Sequence, residues 1–129
     1  MFSINSKFNV KFFILAIIWA AMIYYFSSIP DLRSNFSGIV DLVLRKIAHI
    51  FVYMVLTYLL AKAMPKHTRI YVLIVIVAAI CYAWSDEFHQ LSVLGRSGSP
   101  RDILIDAIGV FFGILVYRWF KNNKQKTSR

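Results

Sequence analysis

Four of the six carboxylate side chains in this 129-residue sequence, Asp86, Glu87, Asp102 and Asp106, fall between Trp84 and Ile108, beside His89, Gln90, Arg96 and Arg101. Upstream, Lys46 and His49 stand three residues apart. Grouped carboxylates suit general acid–base work, and histidine titrates near neutral pH. Asp86, Glu87 and His49 are therefore the candidates for proton chemistry. Arginine binds phosphate or carboxylate through a planar fork. Arg96 and Arg101 flank the Gly95–Pro100 segment, and with Lys46, Gln90, Asp102 and Asp106 they form the candidate binding set. A structural reading stands beside this one: Lys46 neutralises Asp86 or Asp106 to hold helices together, and Gly95–Pro100 is a plain turn. Carboxylate and imidazole donors suit several divalent ions, but the spacing matches no strong metal motif, so no metal ligand or cofactor is assigned. None of Ser27, Ser28, Ser85, Ser97 or Ser99 sits in a G-x-S-x-G elbow, which leaves a serine hydrolase weakly supported.

The elements that must position these residues are built for lipid. Hydrophobic residues make up 59% of the chain and the mean hydropathy is +0.62, well above a soluble domain's usual apolar share of roughly 45–50%. Four apolar runs, Phe12–Phe26, Ile47–Ala61, Ile70–Trp84 and Ile103–Tyr117, carry few or no charges. A membrane-spanning helix needs ~20 residues. The runs predict one all-α membrane domain over residues 1–129, with four transmembrane helices at about 9–27, 44–64, 69–89 and 102–120. Tyr24, Tyr25 and Phe26 occupy the place where signal cleavage needs small residues, so the first run reads as an anchor. The lone Cys81 reads as a small packing residue.

Charge placement orients the bundle. Lys7, Lys11, Lys62, Lys66, Arg69, Arg118, Lys121, Lys124, Lys126 and Arg129 fall on one side of a four-span topology, against Arg33, Arg45, Lys46, Arg96 and Arg101 on the other. The positive-inside rule then places both termini in the cytoplasm of a multi-pass cell-membrane protein. The basic tail reads as a topology determinant resting on anionic lipid, and nucleic acid is not an expected partner. All six acids lie toward the outer side, a bias that topology does not require.

Helical spacing gathers the polar residues. Lys46, His49 and Tyr53 share one face, as do Asp86, His89 and Gln90, with Glu87 rotated by about 100°. Asp102, Asp106, Gly109 and Gly113 form a third stripe, whose G-V-F-F-G step admits a neighbouring helix closely. Three helices thus aim polar groups at one outward pocket. Ser37 and Asp41 suit the cap and first turn of a helix running on into the second span.

F-S-S-I-P (Phe26–Pro30), K-x-x-H-x-x-x-Y (Lys46, His49, Tyr53), S-D-E-x-H-Q (Ser85–Gln90), G-R-S-G-S-x-R-D (Gly95–Asp102) and D-x-x-G (Asp106, Gly109) resemble the VanZ-like family from about Phe12 to Tyr117. The resemblance implies a small multi-pass bacterial membrane protein. It also implies an envelope role that lowers susceptibility to teicoplanin-type glycopeptides, through a lipid-linked envelope precursor or anionic lipid. It carries over Lys46, His49, Asp86, Glu87, Gln90, Arg96, Asp102 and Asp106 as motif residues and supplies no reaction. A non-catalytic accessory protein, whose polar cluster holds the bundle or a partner, is the alternative. Transport is less attractive, because four short spans leave little pore lining in a monomer and the inner halves of the apolar runs lack ionisable residues. Oligomeric state is left open.

Overall fold

A computed structural model describes residues 7–30, 37–65, 70–96 and 98–127. Asp31, Arg33, Lys66, Arg69, Ser97 and Arg129 lie outside the described residues. Among the described residues the fold is four helices: α1 (Val10–Ser27), α2 (Gly38–Ala63), α3 (Tyr71–Gln90) and α4 (Pro100–Thr127).

Local chemistry sets their ends. The Asn9 side chain caps α1 by accepting from the Phe12 amide at 3.4 Å. α2 begins at Gly38, so the helix expected to start at Ser37 and Asp41 does run on toward the second span. Asp41 in its first turn favours the positive helix end and pairs with Arg45 one turn on at 2.8 Å. Ser37 stands at the cap position, but its side chain makes no cap hydrogen bond. Pro100 opens α4, where its missing N–H costs nothing.

The helices alternate in direction. The Asn9 amide donates to the Ala63 carbonyl at 2.8 Å, joining the start of α1 to the end of α2. At the other end, Gln90 meets Ser27 and Lys46 meets Asp102. The end of α1, start of α2, end of α3 and start of α4 therefore share what we call the polar end. Lys7, Lys11, Lys62, Lys121, Lys124 and Lys126 gather at the opposite, basic end.

α2 is the hub: it packs on α1, α3 and α4, most extensively on α4. A Cβ on Gly109 would meet the Ile50 carbonyl oxygen, and one on Gly113 would lie 2.6 Å from the Met54 carbonyl oxygen and 2.7 Å from Thr57 Cβ. The two glycines let α4 lie directly on the α2 backbone, as small residues do between membrane helices. Ala16, Ala79 and Ala83 serve the neighbouring interfaces around Tyr53, Leu56 and Val110. Trp19 Nε1 donates to the Val52 carbonyl at 2.9 Å, and the Tyr82 hydroxyl donates to the Ala20 carbonyl at 2.6 Å, tying α1 to α2 and α3.

The surface is inverted relative to a soluble protein. Ile17, Ile18, Phe51, Leu73, Val77 and Phe111 face outward, with Trp84 68% and Phe88 76% exposed, while Asp86, Glu87 and Asp106 are buried. An apolar belt of this extent belongs against lipid. Among the described helices, α1, α3 and α4 (Pro100–Lys126) are each long and apolar enough to cross a membrane. α2, at 26 residues, reaches ~39 Å but carries Asp41, Arg45, Lys46 and Lys62. Arg45 pairs with Asp41 within the helix, and Lys46 pairs with Asp102 of α4. Cys81 departs from the expected packing role: it is exposed. Ala79 and Ala83, on the other side of the same helix, do the packing.

Candidate functional site

Each helix delivers polar groups to the polar end. From α2, Lys46 Nζ lies 3.0 Å from Asp102 Oδ1, and His49 Nδ1 lies 2.8 Å from Asp106 Oδ1. One turn further, the Tyr53 hydroxyl donates to Asp86 Oδ2 at 3.3 Å. The glycine stripe of α4 explains the match: with the two backbones in contact, each acid of α4 meets a base of α2 across the seam. The expected pairing of Lys46 with Asp86 or Asp106 is thus replaced by pairing with Asp102. Asp106 lies one turn deeper, level with His49.

α3 adds the second pair of acids. Gln90 Nε2 donates to Asp86 Oδ2 at 3.2 Å, one helical turn back, and reaches Ser27 Oγ of α1 at 3.4 Å. Glu87 Oε2 accepts from the Ser99 backbone N–H at 2.9 Å. The loop geometry allows this. Gly95 turns the chain with φ 76°, and Gly98 lies so close over α3 that a Cβ would meet the Glu87 carbonyl oxygen. Any side chain at 98 would lift the Ser99 amide away. His89 points elsewhere: it stacks on Tyr24 with ring centres 4.4 Å apart, and its Nε2 lies 2.9 Å from Ser28 Oγ.

Above these acids lies a small cleft of about 80 Å³, lined by Leu42, Arg45, Lys46, His49, Gln90, Arg96, Asp102 and Ile105. Three cations share its mouth. Arg96 donates from Nη2 to the Phe26 carbonyl at 2.8 Å and from Nε to the Ile29 carbonyl at 3.3 Å, at the negative end of α1. Partial burial, and then the charge of the neighbouring Arg45, push the Arg96 guanidinium below its usual pKa. Arg101 is exposed and outside the cleft lining.

Beneath the cleft the acids are buried: Asp106 is 0% exposed, Asp86 2% and Glu87 4%. Asp86 Oδ1, Glu87 Oε1 and Asp106 Oδ2 accept no hydrogen bond among the described residues. Lys46 and Asp102, at 40% and 31% exposed, belong to the mouth instead.

These residues bear on relatives. Residues 12–121 match the VanZ/LLP1 family. The chain belongs to this family. A relative described as an uncharacterized membrane protein, YwnJ of Bacillus subtilis (strain 168), is 32% identical across 80% of this chain and 74% of its own length. No solved structure is significantly similar to this chain. With its apolar belt and this kinship, the VanZ/LLP1 chain is a membrane protein.

Within this VanZ/LLP1 chain the structure brings Lys46, His49, Asp86, Glu87, Gln90, Arg96, Asp102 and Asp106 to one end of the bundle. It leaves Arg101 and His89 apart from them. Sequence reasoning did not place Arg45, Ser27 or the Ser99 amide in the site. Arg45 had a readable signal in its four-residue spacing from Asp41 and its position next to Lys46. The Ser99 amide had none, because a backbone donor shows no residue type.

Proposed function

We propose that this chain is a four-span cell-membrane protein with cytoplasmic termini, whose outward cleft binds the anionic head group of a phosphate-bearing envelope lipid. The observation that carries the reading is the gathering of Arg45, Lys46 and Arg96 around one cleft. Two guanidinium groups are held near one another despite their repulsion, an arrangement that an anion relieves. The cleft is small enough for a head group and not for a peptide, and the lipid-facing belt below it suits acyl chains. Orientation is supported by the lysines of the basic end, which suit the cytoplasmic side. Family membership supports a role in glycopeptide susceptibility, with Asp86, Glu87 and His49 placed for any proton transfer next to the bound head group.

The test is lipid binding by the purified protein in nanodiscs of neutral lipid, titrated with phosphatidylglycerol. Arg45→Ala combined with Arg96→Ala is expected to weaken binding at least about tenfold, the loss of one or more charge-assisted contacts. Arg101→Ala is expected to leave it within about twofold. Equal losses in both variants would place binding on general surface charge instead of in the cleft. In cells, the double variant is expected to reduce any teicoplanin tolerance conferred by the wild type without reducing its membrane abundance.

The accessory alternative has its own support in the ion pairs that join α2 to α4, since interhelical pairs of this kind can act as structural ties.

A further inference from the structure

The floor of the cleft holds more negative charge than its neighbours balance. Lys46 is engaged by Asp102, Arg45 by Asp41, and Arg96 by two backbone carbonyls. His49 faces Asp106. Among the described residues, Asp86 receives only the neutral donors Tyr53 and Gln90, and Glu87 only the Ser99 amide. Ligand atoms of His49, Glu87 and Asp106 all lie within 4.8 Å of one another. Asp86 is within electrostatic reach of both His49 and Asp106.

A second observation points to what such a group would hold. Asp86, outside that triad and 2% exposed, buries an Oδ1 that accepts no hydrogen bond among the described residues, as do Glu87 Oε1 and Asp106 Oδ2. An oxygen left unmatched in an apolar interior is costly. Protons would cancel the charge, but each new O–H would itself need an acceptor. A divalent cation meets both demands at once, since carboxylate oxygens are then ligands and the charge is matched.

We propose that His49, Glu87 and Asp106, with Asp86 beside them, form a binding site for a divalent first-row transition ion at the floor of the cleft. One imidazole with carboxylates is the donor set that zinc, manganese and cobalt accept, whereas calcium and magnesium prefer oxygen alone. The donors come from three helices, which is why sequence spacing alone gave no metal motif: they are neighbours only after α2, α3 and α4 pack. His49 also lines the cleft, so the floor is reached from the mouth. The inference goes beyond anion binding and does not depend on it.

The test uses full-length protein in detergent, stripped with a chelator and titrated with Co²⁺ and then Zn²⁺. The expected result is about one Co²⁺ per chain with visible d–d absorption, displaced by Zn²⁺, and a thermal midpoint raised by either ion. Glu87→Gln keeps the acceptor for the Ser99 amide and is expected to fold. It should weaken Co²⁺ binding at least about 10–100-fold, no less than loss of an outer-shell partner. His49→Gln is the second variant, with the same expectation from the opposite helix. Absence of a stoichiometric Co²⁺ spectrum in the wild type would overturn the site. So would binding that survives both variants, which places the ion on other side chains of the protein or on the detergent. Phosphatidylglycerol binding measured on the stripped protein reports separately on the cleft.

Discussion

The two ends of this bundle solve the same packing problem with different chemistry. At the basic end, Ala61, Val75, Ile114 and Tyr117 fill the space between helices with small and apolar groups. At the polar end, the same helices meet through Lys46–Asp102, His49–Asp106 and the donors around Asp86. The basic end shows that these helices can associate without buried charge. Packing alone therefore gives no reason for the carboxylates. Acids inside a membrane cost roughly 2.5–3.5 kcal/mol at mid-depth and less near its edge, and they mark functional sites by default. Three of the polar-end acids also bury an oxygen that nothing among the described residues satisfies. Glue would have been satisfied more completely.

The largest effect that would sharpen this contrast lies in the seam both ends share. Gly109→Val forces a side chain into the Ile50 backbone, which no rotamer change relieves. It is expected to cost about 3 kcal/mol, the upper part of the overpacking range. The readout is a lower thermal midpoint in detergent and a fall in membrane abundance. A stable Gly109→Val protein would mean that α2 and α4 are not in direct backbone contact.

A much smaller effect is expected at the mouth. Lys46 and Asp102 are both about one-third or more exposed, so their pairing is screened and worth less than about 1 kcal/mol. Lys46→Met should leave the thermal midpoint nearly unchanged while weakening phosphatidylglycerol binding. A large loss of stability instead would assign the mouth to the bundle's architecture and remove the distinction drawn between mouth and floor.

Much of this arrangement could be read before any coordinates. Helical spacing put Lys46 and His49 on one stripe, and Asp102, Asp106, Gly109 and Gly113 on another. Spacing within a helix could not say which acid would meet which base. That depends on how far α4 slides along α2, which the glycine contacts fix. The same limit explains His89. It shares a helical face with Asp86 and Gln90 by spacing, yet Tyr24 and Ser28 of α1 hold it. Arg101 was paired with Arg96 because both flank one loop. In the fold, Arg96 turns back to cap α1, and Arg45 from another helix lines the cleft with it while Arg101 does not. Cys81 was legible only as apolar, since composition does not say which side of an apolar helix meets lipid.

The most direct test of the claim that the floor acids serve a ligand instead of the fold is thermal unfolding of metal-stripped wild type beside Asp86→Asn. Asparagine keeps an oxygen to accept from Tyr53 and Gln90 and removes a buried charge. The account predicts a midpoint at or above that of the wild type, because a poorly matched carboxylate is gone. A midpoint that falls as far as in Gly109→Val would contradict it and make Asp86 part of what holds the bundle together.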